Sequence, residues 1–335
     1  MSSGATGQMR AMKDQMLHID DSTYVIDCAG GNIGGAARFL RELDAYAGSD
    51  HSTQFTTVGR GRFLTPTWMA QREVAARRFT RRVALNNASF VGGSDRTVLL
   101  RNALHFATRD EMGALGHTPT RTFQAQIGMV RAATLRATRI IVPCTAMGER
   151  VIRHLPSVES RVVVRFHPVT VTPQPGRSEA GRILVPIVPS PYKNLDQHAQ
   201  LLLSALDASG TNATLVFTAT ESDLPTAHRD PRVTLIGVQS SAEIEGEWAK
   251  ATAVFFPTAL EAFGYPLAEA RALGRRILAL DTPQNREIAG QALAGYAPRD
   301  VDSLGSALAE AVARSVDSDP SPFDRQAYFD WLLKP

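Results

Sequence analysis

The chain has 335 residues, 44% of them hydrophobic and 21% charged, a balance that suits two folded domains and excludes a disordered polymer. Its net charge of +3 is too small to mark a nucleic-acid partner. No apolar run approaches the roughly 18 residues of a membrane-spanning helix, and the first twenty residues, with Arg10, Lys13, Asp14 and Asp20, read as a lead-in rather than a secretory signal.

Strand and helix patterns alternate from the start. Thr23–Asp27 reads as an apolar strand running into the glycine-rich stretch Gly30 to Gly35, and a helix follows with Phe39, Leu40 and Leu43 at helical spacing. The glycines lack strict G-x-G-x-x-G spacing and no acidic residue follows the second strand, which argues against a dinucleotide-dependent oxidoreductase. Cys28 and Cys144 lie far apart, make no metal-ligand spacing, and point to a reducing cytoplasm. Phe55–Val58, Thr97–Leu100 and Arg139–Val142 are further strands, with helices over Trp68–Arg82 and Arg121–Ala137 between them. The first of these helices carries Arg72, Arg77, Arg78, Arg81 and Arg82. A solvated face, or a patch for an anionic acceptor or lipid surface, would both produce that pattern.

The alternation breaks over residues 167–181, where Pro168, Pro173, Pro175 and Gly176 read as a linker. It resumes from Ile183 with strands over Ile183–Val188, Thr214–Thr218, Val233–Ile236, Ala253–Phe256 and Ile277–Leu280, and helices between them. The expected fold is α/β, with two doubly wound Rossmann-like domains, residues 1–166 and 182–318, facing each other across a cleft. The last segment, residues 319–335, carries Tyr328, Phe329, Trp331, Leu332 and Leu333, aromatics and aliphatics that need burial.

The most informative stretch is Phe255 to Ala270. A buried strand ends at Phe256, and Pro266 suits the first position of a helix. The amides of Phe263 and Gly264 then point out of the helix amino terminus, a site for hydroxyls and phosphate oxygens. Glu261 on the loop and Glu269 one turn into the helix bracket that site with carboxylates, which accept hydrogen bonds from sugar hydroxyls.

This segment resembles the E-x7-E signature of retaining GT-B glycosyltransferases of the family-4 type. The similarity extends over Tyr192-Lys193-Asn194-Leu195, Leu235-Ile236-Gly237-Val238, Ala270-Arg271-Ala272-Leu273-Gly274 and Asn285-Arg286-Glu287-Ile288, from about Ile183 to Ala289. It implies a GT-B architecture whose last segment crosses back to the first domain. The donor is then a nucleotide sugar, UDP- or GDP-linked, and neither metal nor resident cofactor is needed. Glu261 would meet the donor sugar, Glu269 the ribose and Val238 the base, while Phe263, Gly264 and Tyr265 lie near sugar and phosphates. Gly34 and Gly35 would approach the diphosphate from the opposite wall, and His105, with Asn102 behind it, would lie near the transferred sugar. Lys193 matches the lysine of an Arg–Lys pair on the diphosphate, but Val188 stands where the arginine is expected.

The acceptor would be a glycan, a lipid or a small molecule, with a peripheral membrane contact through Arg72–Arg82 at the cytoplasmic leaflet for a lipid- or polyprenyl-linked one. A nucleotide-sugar-binding subunit without activity is the competing reading, since Val188 weakens the diphosphate site. Asp317-Ser318-Asp319 has the form of a metal-binding D-x-D but lies in a polar tail and is discounted.

Overall fold

A computed structural model describes residues 24–30, 34–49, 55–172, 178–190 and 193–333. Strands β1 (Tyr24–Asp27), β2 (Phe55–Val58), β3 (Arg81–Ala84), β4 (Asp95–Leu99), β5 (Arg139–Val142) and β6 (Val162–Val164) form one parallel sheet in the order β2-β1-β3-β4-β5-β6. Strands β7 (Arg182–Val185), β8 (Thr214–Phe217), β9 (Val233–Leu235), β10 (Ala253–Phe256), β11 (Arg276–Leu280) and β12 (Leu293–Tyr296) form a second in the order β12-β11-β10-β7-β8-β9. The helices are α1 (Gly34–Ser49), α2 (Pro66–Ala75), α3 (Arg109–Ala114), α4 (Arg121–Thr134), α5 (Thr145–His154), α6 (Leu195–Ser209), α7 (Ser241–Lys250), α8 (Tyr265–Leu273), α9 (Pro283–Ala289), α10 (Val301–Ala313) and α11 (Arg325–Leu333). The apolar runs Tyr24–Asp27 and Ala253–Phe256 are buried along their whole length, as strands covered on both faces must be.

The helix expected over Trp68–Arg82 ends instead at Ala75, and Arg81 and Arg82 open β3, paired between β1 and β4. Arg72 is fully buried. Its guanidinium bonds the Asp27 carboxylate and donates to the carbonyls of Ala88 and Ser89, both at 2.8 Å. Trp68 Nε1 and Asn86 Nδ2 donate to the same carboxylate at 3.2 and 2.7 Å. Arg82 is buried too and pairs with Glu73 at 3.3 Å, while Arg81 stacks on Tyr24. These contacts consume three of the five arginines and leave Arg77 and Arg78 exposed. Of the apolar residues interspersed with them, Trp68 and Phe79 face the core and Val74 is exposed.

The two halves meet along several seams. Helix α11 lies against α1, with the Phe329 ring 5.6 Å from Phe39 and 5.1 Å from Tyr46, and Tyr46 Oη donates to Asp330 at 2.8 Å. The Val169 amide donates to the Phe323 carbonyl at 3.0 Å. At another seam, Thr145, the first residue of α5, donates its amide and hydroxyl to the Glu287 carboxylate of α9 at 3.1 and 2.9 Å. Acid at a helix amino terminus is favourable there because it meets unpaired amides.

Candidate active site

Each sheet reverses its strand order once, between β1 and β3 in the first and between β7 and β10 in the second. Loops at the carboxyl ends of such strands diverge and leave a crevice. The glycine-rich loop follows β1, Lys193 follows β7, and Glu261 follows β10. Gly31, Asn32 and Ile33 of the glycine-rich stretch lie outside the described residues.

The loop before α8 is held from behind. Gly264 adopts φ +82°, and a Cβ there would come within 2.9 Å of Leu267 Cδ1 and 3.1 Å of Phe256 Cε1, so a side chain would push the loop off the helix. Phe263 is buried, its ring edge-on to His167 at 5.2 Å and to Tyr265 at 5.3 Å. Cys144 Sγ donates to the Ala262 carbonyl at 3.2 Å. Gln284 Nε2 donates to the Glu261 carbonyl at 3.1 Å and accepts from Arg150 at 3.2 Å. Residues from α5 and α9 thus set where Glu261 begins.

Both glutamates of the signature face a cation. Glu261 lies 3.6 Å from Lys193 Nζ, and Glu269 lies 3.5 Å from Arg38 Nη2, which comes from α1 of the other half. Burial pushes both carboxyls above the ordinary glutamate range, opposed by Lys193 in one case and by Arg38 and Arg41 in the other. Arg38 also bonds the Thr170 carbonyl and lies 3.7 Å from Glu42. A cavity of about 130 Å³ opens beside Glu269, lined among others by Arg38, Arg41, Arg275, Ile244 and Trp248.

The remaining candidates divide. Gly35 faces the ring of Tyr265 so closely that a Cβ on it would come within 3.1 Å, which brings the first turns of α1 and α8 together. Gly34 opens α1 with φ +59° and open space around it. Val188 and Val238 are 54% and 87% exposed, apolar surfaces at the carboxyl edge of the second sheet.

Asn102 and His105 make their contacts within the first half. Asn102 accepts from the Leu104 amide at 3.0 Å and caps a short turn. His105 is 1% exposed, its ring 5.7 Å from Phe123, and burial with nearby Arg131 pushes it down to about 4. Sequence reading gave no role to Arg38, Gln284, Arg150 and Glu287, whose partners are more than a hundred residues away or on other elements.

Among the described residues no cluster of three or more His, Cys, Asp or Glu could hold a metal ion. Asp319 of the D-x-D is taken by Arg271, 2.7 Å away. No helix among them is long and apolar enough to cross a membrane.

No protein-family model matches the chain, and no curated protein matches it. Solved structures do. WaaG, a glycosyltransferase involved in lipopolysaccharide biosynthesis, superposes with a TM-score of 0.64 at 15% identity, over 91% of this chain and 92% of that one. Sucrose-phosphate synthase from Thermosynechococcus elongatus gives 0.62 at 13% identity, over 93% and 94%. A glycosyltransferase from Rickettsia africae ESF-5 gives 0.60 at 12% identity, over 94% of each. With two parallel six-stranded sheets and these neighbours, the chain has the GT-B fold.

Proposed function

We propose that the chain is a retaining glycosyltransferase that moves a hexosyl group from a UDP- or GDP-sugar to an acceptor hydroxyl. The observation that carries this reading is the pair of glutamates around the amino end of α8, each beside a cation, in the crevice of a GT-B fold. Glu269 accepts from the ribose hydroxyls, with the base lying over Val238. Glu261 accepts from the donor sugar, and Lys193 with the amides of Phe263 and Gly264 meets the diphosphate charge. The anomeric C–O bond to the phosphate breaks and the acceptor oxygen bonds to that carbon on the same face. The acceptor proton passes to the leaving phosphate oxygen, so no protein nucleophile, metal or cofactor is required. Full turnover in excess EDTA checks the last point.

Glu269→Ala is expected to weaken nucleoside diphosphate binding by about 1–3 kcal/mol in calorimetric titration, the cost of a lost acceptor. Unchanged affinity would remove Glu269 from the ribose. Val188 in place of a cation favours, as the second reading, a subunit that binds nucleotide sugars without turning them over, which binding without product release would reveal.

The acceptor we propose is lipid- or polyprenyl-linked and met at the cytoplasmic leaflet, in keeping with the role of WaaG in lipopolysaccharide biosynthesis. Because Arg72 and Arg82 are spent inside the fold, membrane contact reduces to Arg77 and Arg78. Replacing both with Ser is expected to cost about 2 kcal/mol of binding to anionic liposomes at low salt. No liposome binding by the parent protein would leave a soluble acceptor.

A further inference from the structure

Two of the cations that stand where the two halves face each other have carboxylates close by. Lys193 has Glu261, and Arg38 has Glu269 and Glu42. Arg101 has none among the described residues. It follows β4, lies over the Phe39 ring of α1 at 4.9 Å, and uses Nη2 to donate to the Leu85 carbonyl. Its Nε and Nη1 are sealed from solvent and bond nothing.

The groups around it are unsatisfied as well. The hydroxyls of Tyr265 and Tyr328 and both ring nitrogens of His167 are buried without partners. His167 is 1% exposed, stacks on Tyr265 at 6.1 Å and meets Phe39 edge-on at 5.1 Å. Tyr265 is the first residue of α8 and Gly35 the second of α1, and they touch, so these unused donors collect where the first turns of both helices meet. Burial lowers the Arg101 pKa, and its charge acts on Tyr265, Tyr328 and His167. A cation buried without a counter-ion costs several kcal/mol, a cost removed when an anion arrives.

We infer that Arg101 binds the β-phosphate of the donor and supplies the second positive charge on the leaving diphosphate. The inference rests on the nucleotide-sugar reading. The only charges on the UDP- or GDP-hexose proposed as donor are its phosphates, and Val188 offers them nothing. A guanidinium with two unpartnered nitrogens suits a phosphate better than an ammonium does. The Tyr265 hydroxyl, close enough for the Arg101 charge to act on it, has no hydrogen-bond partner of its own.

The test compares UMP with UDP and GMP with GDP by calorimetry on the parent protein, Arg101→Gln and Arg101→Lys. For the diphosphate that binds, Arg101→Gln is expected to lose about 10- to 100-fold in affinity, as for a hydrogen bond to a charged group. The monophosphate should be unaffected and Arg101→Lys should recover part of the loss. Because it removes an uncompensated charge, Arg101→Gln should also keep or raise the melting temperature. Equal losses for mono- and diphosphate, or no loss for either, would overturn the inference while leaving the donor reading intact. A parent protein that binds neither UDP nor GDP would overturn the donor reading and this inference with it.

Discussion

Replacing Arg72 with methionine is expected to destabilise the first domain by about 3–5 kcal/mol, because it leaves the Asp27 carboxylate buried without its cation. Asp27 ends β1, directly before the glycine-rich loop, and gathers Arg72, Trp68, Asn86 and the Ala29 amide on its two oxygens. Neither Asp27 nor Arg72 has measurable exposure, so water cannot replace the lost partner. Urea denaturation measures the effect. Arg77→Met, on the surface a few residues away, serves as the control and should change stability by about 0.5 kcal/mol or less. A loss at Arg72 as small as that would show that the network does not anchor the loop.

Glu261→Ala is expected to lower turnover by about 10²–10³-fold while nucleoside diphosphate affinity stays close to that of the parent. The carboxylate lies on the loop before α8, against Lys193, and its proposed contact is with the sugar rather than the nucleotide. Its surroundings should survive the change. The loop is fixed through the Glu261 carbonyl by Gln284, through the Ala262 carbonyl by Cys144, and through the packing of Phe263, none of which uses the glutamate side chain. Parallel losses of binding and turnover would mean that the roles of Glu261 and Glu269 are exchanged or shared.

The α8 region was legible in the sequence because its determinants are local. The strand Ala253–Phe256, Gly264, Pro266 and two glutamates eight residues apart occupy one short stretch, and the helix starts there for the reasons Pro and Gly supply. Strand β3 was not legible. Arg81 and Arg82 hide the short apolar run Val83-Ala84-Leu85, and only pairing with β1 and β4 makes it a strand. The basic segment misled for the same reason. Arg72 looks like a surface charge until Asp27, 45 residues earlier, is seen beneath it. Arg38 opposite Glu269 and Arg101 acting on Tyr265 are products of the way the two halves meet, which spacing along the chain does not encode.

The central claim, transfer from a nucleotide sugar, is tested most directly by following a panel of UDP- and GDP-hexoses with the parent protein by proton NMR. Consumption of one donor is expected, with release of its nucleoside diphosphate and of a sugar that first appears in the donor's own anomeric configuration. Glu261→Ala should slow that consumption by about 10²–10³-fold. Binding of a donor without consumption would make the chain a nucleotide-sugar-binding protein, and first appearance of the opposite anomer would contradict the retaining mechanism.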